Sequence, residues 1–324
     1  KEFDPNSPEF TLDQVFTLGL HMFKDAIGTI SNNANKELAI ETALADVAEA
    51  WKAVDIEMIE FKGVYFKIKT TEDLYTQLED NQVQLSTMKA SRFYAVFEEK
   101  ITYWEKGLNM ISEVVELLLT VQRQWMYLES IFMSSEDIRK QLPLEAKLFD
   151  QVNESYKAIT QGIVNDPNAY KATHADGVLD ELTNMDAKLA KIQKSLDAYL
   201  ETKRQFFPRF YFLSNEDLLE ILGQQKDPEQ VQKHIIKCFV GVKYMQLMLP
   251  GVAGNRTVEC TGLQAPDGES IPLVRNVIID GPVEKWLVLI EEAMKLALKK
   301  SIQGTVNGFK GKKDKWAKEW PGQL

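Results

Sequence analysis

The chain is poor in the residues that punctuate or cross-link a fold. Two cysteines, Cys238 and Cys260, in 324 residues build no disulfide framework. Cys238 sits in an apolar helical run, where a cysteine reads as a small core residue before it reads as a nucleophile or ligand. This usage fits a reducing compartment. Eleven prolines and 17 glycines are too few for a sandwich or barrel rich in turns. The three histidines, His21, His174 and His234, lie far apart, and no pair brackets a glutamate at helical spacing, so there is no zinc-protease signature. No apolar run approaches the roughly 18 residues needed to span a bilayer. Lys1-Glu2-Phe3-Asp4-Pro5 does not read as a signal peptide. The expectation is a soluble intracellular protein with no membrane partner.

Positive charge is in deficit as well. Thirty-eight Lys and Arg against 48 Asp and Glu leave a net charge of −10, a surface that repels phosphate backbones and excludes nucleic acid as an expected partner. The local exception, Phe309-Lys310-Gly311-Lys312-Lys313-Asp314-Lys315, reads first as a solvated terminal segment. A phosphate-binding loop is also missing. Gly304, Gly308, Gly311, Lys312 and Lys313 lack the four-residue gap between glycines, the hydroxyl after the lysine, and the strand–loop–helix setting. His174 and Asp176 make a conceivable acid/base pair, but a helix cap by Asp176 is the simpler reading. Carboxylates are abundant and fall on the polar faces of helices, where a solvated charge is the default. No catalytic, cofactor-binding or metal-binding residue is assigned, and chemistry alone describes an inert helical scaffold.

What is present is helical periodicity in a composition led by Leu, Lys, Glu and Ala. Tyr94, Phe97, Ile101, Trp104, Leu108, Ile111, Val115 and Leu118 fall at alternating steps of three and four, and Gln122, Trp125, Glu129 and Phe132 continue the register. One helix of about ten turns follows, with its apolar side chains on one stripe. Val178, Leu182, Met185, Leu189, Ile192, Leu196 and Tyr199 make a second seam, ending before Pro208. Ile40, Leu44, Val47, Trp51, Val54 and Met58 make a third, and Leu148, Val152, Tyr156, Ile159 and Ile163 a fourth. Leu12, Phe16, Phe23, Ile27 and Ile30 fit a first helix, with Thr11 and Gln14 spaced as a capping box. Gln122, Glu129 and Asn81 interrupt stripes. Surface placement or a satisfied buried hydrogen bond explains such residues, and fixing helix register is the sharper alternative.

Strand signals are few. Residues 61–69 alternate as one short strand, and Arg209-Phe210-Tyr211-Phe212-Leu213 reads as another, with Ser214 capping the helix after it. A β-hairpin is expected near 257–273, turning at Asp267-Gly268. The fold class is therefore mainly α, an elongated array of antiparallel helical bundles with a short strand and one hairpin. Joints are expected at 165–177, 206–214 and 249–254.

Several blocks resemble the linker region of dynein heavy chains, N-terminal region 2, in the order that family shows. They are Trp125-Met126-Tyr127-Leu128-Glu129-Ser130-Ile131-Phe132, then Ser135-Glu136-Asp137-Ile138 and Gln141-Leu142-Pro143. The strongest is Leu200-Glu201-Thr202-Lys203-Arg204-Gln205-Phe206-Phe207-Pro208-Arg209-Phe210-Tyr211-Phe212-Leu213-Ser214-Asn215, followed by Asp217-Leu218-Leu219-Glu220-Ile221-Leu222. The hairpin from Glu259 to Leu273, Val283-Glu284-Lys285-Trp286-Leu287 and Trp320-Pro321-Gly322-Gln323 complete the series. The resemblance covers essentially the whole chain and is closer to axonemal, outer-arm heavy chains than to cytoplasmic ones.

That resemblance implies a mechanical role without an active site. The family's linker precedes the ATPase ring in the same polypeptide and bends and straightens over it as nucleotide turns over. It implies an N-terminal linker bundle at 1–92, a central long-helix bundle at 93–205, and a C-terminal part with the hairpin at 206–324, ending before the ring modules. The implied partner is the ring of the same heavy chain. Microtubules are reached only through other parts of the parent, in a ciliary or flagellar axoneme. Two places are singled out. Phe206, Phe207, Pro208, Arg209, Phe210 and Tyr211 form a candidate hinge or bundle joint, with the loop at 165–177 competing as the hinge. Glu259, Asp267, Gly268 and Glu269 mark a candidate ring-docking hairpin. A helical tether or adaptor is the rival reading from another class, and a helical-bundle enzyme is disfavoured because no seam carries convergent carboxylates or histidines.

Overall fold

The computed structural model describes residues 11–224, 227–249, 257–309, 313, 314 and 316. The motif at 320–323, most of the joint at 249–254 and most of the basic run at 309–315 lie outside the described residues. The fold is mainly α, with eleven α-helices and two small antiparallel sheets among the described residues. The chain divides into two compact units, residues 1–123 with 153–186, and residues 124–152 with 187–324.

The first unit begins with helix α1 (Leu12–Thr17), whose Thr11 and Gln14 exchange side chain and backbone as a capping box. The single first helix read from the stripe at 12–30 is broken. Gly19 adopts a left-handed φ of 71°, a 3-10 turn follows at Leu20–Phe23, and α2 runs from Lys24 to Ala50. The third seam also stops short: α2 ends at Ala50, so Val54 and Met58 leave the helix. The Asn168 amide donates to the carbonyls of Trp51 (3.0 Å) and Lys52 (3.2 Å), acceptors that a helix end leaves open.

The strand read at 61–69 is in fact a hairpin. Strand β1 (Met58–Phe61) pairs with β2 (Tyr65–Ile68), with Met58 opposite Ile68 and Phe61 opposite Tyr65. Lys62 and Gly63 turn it with φ of 55° and 72°, the two consecutive positive values that a twisted hairpin needs. Helix α3 (Glu72–Lys89) and the first part of α4 (Tyr94–Phe132) follow, with the second part of α6 (Pro143–Asn165), short α7 (Ala169–Thr173), and the start of α8 (Val178–Phe206). The predicted seam residues Ile101, Leu108, Ile111, Val115 and Leu118 are all buried, as are Tyr156, Leu182 and Met185.

Polar interruptions of the seams are satisfied inside this core. Gln122 Oε1 accepts from the Ile68 backbone N–H at 2.7 Å and from the Tyr156 hydroxyl at 3.3 Å. Asn81 Oδ1 accepts from the Trp51 indole at 3.0 Å. All three bonds cross between elements, so they can set register as well as satisfy the buried groups.

The second unit holds the rest of α4 and α8, helix α5 (Glu136–Gln141), the start of α6, helices α9 (Asn215–Gly223) and α10 (Pro228–Cys238), strands β3 (Tyr244–Met248), β4 (Glu259–Gln264) and β5 (Ser270–Ile278), and helix α11 (Val283–Gly308). Phe132 stacks on Phe149 with ring centroids 5.4 Å apart, and Trp125, Leu189, Ile192, Leu196 and Leu200 are buried in the same unit. The expected hairpin is β4–β5, and β3 adds a third strand, in the order β3-β4-β5. Gly262 sits at its bulge. A Cβ there would collide with the Gln246 side chain and press on the Ile271 carbonyl at 3.0 Å.

Candidate functional site

The aromatic segment after α8, the candidate hinge or bundle joint, lies packed inside the second unit. Pro208 has no N–H to continue α8 and its fixed φ suits a helical first position, so the chain passes through an extended Phe207 (φ −126°, ψ 93°) into a 3-10 turn, Pro208–Phe212. The strand read at 209–213 is corrected to this turn. Phe207, extended just before the turn, and Phe210 within it are both fully buried, in an edge-to-face pair with centroids 5.0 Å apart. Phe207 also reaches Phe239, at 6.0 Å. The other rings face outward: Phe206, Tyr211 and Phe212 are 52%, 55% and 74% exposed.

Cations fasten the joint. The Arg209 guanidinium donates to the Cys238 carbonyl at 3.1 Å, lies 4.8 Å over the Phe239 ring, and pairs with Glu291 at 3.4 Å. A hydrogen bond from Lys295, aided by Arg209, holds the Glu291 carboxyl below its ordinary range against the opposing effect of burial. Before the turn, Lys203 pairs with Glu284 at 2.5 Å, with the two side chains 19% and 7% exposed. Lys203 also lies 5.2 Å over the Tyr199 ring. Burial pushes the Tyr199 hydroxyl up to about 12, with the Glu284 and Asp137 charges adding to it. Glu284 and Glu291 stand two turns apart on α11, so one helix receives both cations. Arg204 bridges back to the Leu213 carbonyl at 3.3 Å and Asn215 at 2.8 Å, and Ser214 caps α9 as expected.

Sequence reasoning found the aromatics and Arg209 but not their acidic partners, 75 or more residues downstream, because periodicity says nothing about which charges meet. It also missed His234, buried with its ring nitrogens 3.3 Å from Asp217 and 3.2 Å from Glu220, neither contact having hydrogen-bond alignment. Asp217 pairs with Lys237 at 2.7 Å, and that hydrogen bond holds its carboxyl below the ordinary value.

The hairpin residues do not gather in one place. Asp267, Gly268 and Glu269 form the tip, where Gly268 takes φ 95° and Asp267 accepts from the Glu269 backbone at 3.1 Å. Glu259 lies at the opposite end of β4, opposite Ile278, and accepts from Asn276 at 2.8 Å. His174 makes no pair with Asp176: its Nδ1 lies 2.8 Å from the Tyr170 carbonyl, and its ring stacks on Tyr170. No group of three or more metal-ligating side chains occurs among the described residues, and no described helix is long and apolar enough to cross a membrane.

A helical scaffold held together by aromatic packing and ion pairs is the class that this geometry defines. The family model described as dynein heavy chain, N-terminal region 2, matches residues 1–305. The chain belongs to the dynein heavy chain family. It is 48% identical over 328 residues to human "Dynein axonemal heavy chain 2", covering 100% of this chain and 7% of that protein. It is 49% identical over 323 residues to "Dynein-1-beta heavy chain, flagellar inner arm I1 complex" of Chlamydomonas reinhardtii, covering 99% of this chain and 7% of the relative. Over 318 residues it is 35% identical to "Dynein beta chain, ciliary" of Tripneustes gratilla, covering 98% and 7%. The chain thus spans a small fraction of the length of the relatives it matches.

Proposed function

We propose that this chain is part of the mechanical linker of an axonemal dynein motor, and that residues 206–211 are a bundle joint that carries force from α8 into α9, α10 and α11. The observation that supports this is the fastening just described: two cations tie the end of α8 and the turn after it to a helix more than 75 residues further on, and two buried aromatics pack on each other and on Phe239 after α10. A lever has to transmit displacement without yielding at each connection, and a joint that buries about 150–250 Å2 per ring and adds ion pairs resists yielding. The parent heavy chain supplies the ATPase and the microtubule contact, in the axoneme of a cilium or flagellum. This chain supplies the lever and no nucleotide site.

In a complete heavy chain, Phe207→Ala with Phe210→Ala should uncouple the lever: microtubule gliding slows severalfold while ATP hydrolysis continues. Gliding at the parental speed would overturn the joint. The tip at 265–269 is proposed to dock against the ring, and its deletion should slow gliding while leaving the helical content of this chain unchanged. Isothermal calorimetry on the chain alone should detect no saturable ATP binding.

A further inference from the structure

The end of α4 and the length of α9, both within the second unit, line one groove with matching rows of residues. Tyr127, Ser130, Ile131 and Ser134 recur at i, i+3, i+4 and i+7, and so do Glu216, Leu219, Glu220 and Gly223. The groove has a volume of about 290 Å3 and also takes in Ile138 of α5. Ile131, Ile138 and Leu219 are buried and give it an apolar floor, whereas Glu216 and Glu220 stand exposed on the rim. No lysine or arginine among the described residues lines it.

The polar part of this lining accepts far more than it donates. The Ser130 hydroxyl donates to the Tyr127 carbonyl at 2.7 Å and the Ser134 hydroxyl to the Ser130 carbonyl, so both spend their protons inside their own stretch of chain. The two carboxylates have no proton to give. Helices α4 and α9 also end here, at Phe132 and Gly223, and a helix C-terminus carries partial negative charge. Burial, and after it the charges of Glu216 and Asp197, raise the Tyr127 hydroxyl above its ordinary value, against a hydrogen bond with Gln193. Cations on the neighbouring helices are engaged elsewhere: Lys237 pairs with Asp217 at 2.7 Å, Lys140 with Glu136 at 3.2 Å and Arg139 with Asp150 at 2.6 Å. His234 lies 3.2 Å from Glu220 without hydrogen-bond alignment, and Glu216 makes no ion pair among the described residues.

We infer that this groove is a docking site for an arginine side chain presented by a protein segment from outside this chain. The occupant has to lay apolar surface on Ile131, Ile138 and Leu219 and bring positive charge and several N–H donors to the rim. Arginine joins an aliphatic stem to a planar head of five donors, and that head stays charged. Lysine carries the same charge on one compact ammonium, which reaches fewer of acceptors set along two helices. Complementary charge then governs which partner is chosen and how fast it is met. An anionic lipid surface is repelled by the same carboxylates. The inference goes beyond the lever and uses none of Lys203, Phe207, Arg209 or Phe210, which make the joint.

The test uses the 324-residue chain and fluorescent peptides of leucine and alanine around a single arginine, or around its uncharged isostere citrulline. Anisotropy should show saturable binding of the arginine peptide and binding about tenfold weaker for the citrulline peptide. Glu216→Gln with Glu220→Gln should lower the affinity for arginine by about tenfold. Glu98→Gln with Glu99→Gln, an equal loss of charge in the first unit, should leave it unchanged. Ser130→Phe, which puts a ring in the groove and leaves every carboxylate in place, should block binding. All of these residues are exposed, so circular dichroism of the variants should match the parent. Equal affinity for the two peptides, no saturable binding of either, or full binding by the Ser130→Phe variant would each overturn the docking site. So would equal weakening by the two glutamine pairs, which would mean diffuse attraction to a chain of net charge −10.

Discussion

Substituting the five aromatics between 206 and 212 one at a time should give two distinct classes of effect. Phe207 and Phe210 are fully buried and share an edge-to-face contact at 5.0 Å. Truncating a buried phenylalanine to alanine costs about 3–5 kcal/mol in lost transfer energy and cavity. About 0.5–1.5 kcal/mol of that loss for either residue is the shared aromatic contact, so the double variant should cost less than the sum of the singles. Phe206→Ala and Phe212→Ala remove rings that are 52% and 74% exposed and should stay within about 1 kcal/mol. Tyr211→Phe removes one exposed hydrogen bond, to Glu201 at 2.6 Å, and belongs to the same small class. Hydrogen exchange resolved by peptide is the assay, because it reads opening of α9 and α10 locally. At about 1.36 kcal/mol per tenfold, Phe210→Ala should speed exchange there by roughly two to four orders of magnitude, and Phe212→Ala by less than about tenfold. Equal acceleration by Phe207, Phe210 and Phe212, or none from Phe207 and Phe210, would refute a joint held by two inward rings.

Gln122→Leu should destabilise the first unit by about 1–3 kcal/mol, because the buried Ile68 N–H loses its acceptor; urea unfolding checks it, and a neutral result would mean that Gln122 merely fills space. Gly262→Ala should loosen the three-stranded sheet, since its methyl meets the Gln246 side chain and the Ile271 carbonyl, and faster exchange across Tyr244–Met248 and Ser270–Ile278 is the expected readout. Acid should weaken the second unit in a defined direction. Asp217 and Glu291 titrate below their ordinary values of 3.8 and 4.5 in the fold, so their stabilisation is complete above those values and is lost as pH falls through the lower, folded ones. Their contribution should therefore be constant from pH 8 to about 5 and decline below about 4, and Asp217→Asn with Glu291→Gln should flatten that decline.

The long seams were legible because each is a local pattern: Ile101 to Leu118 and Leu182 to Leu196 needed only steps of three and four to predict a buried stripe. Capping was legible at Thr11 and Ser214 for the same reason, since each cap closes within three residues. Helix ends were less so. Val54 and Met58 keep the apolar spacing of α2, but the carbonyls at that helix's end are met by Asn168, far away in sequence. At 209–213, alternation of side chains suggested extension, but Pro208 and the pairing of Phe207 with Phe210 favour a 3-10 turn. Strand β3 is five residues with no turn signal of its own, and it gains meaning only beside β4. Of the joint, the aromatics were visible and the ion pairs were not, because Lys203 with Glu284 and Arg209 with Glu291 are products of the tertiary fold.

The central claim is that this chain belongs to a lever whose joint at 206–214 does not yield. Its most direct test is the structure of the complete heavy chain without nucleotide and with an analogue of the ATP-hydrolysis transition state. The account predicts that the segment shifts relative to the ring between the two states, while α8 up to Phe206 and α9 to α11 superpose as one body with Arg209 still on Glu291. A segment that stays fixed on the ring, or a rotation centred on 206–214 that parts Arg209 from Glu291, would contradict it.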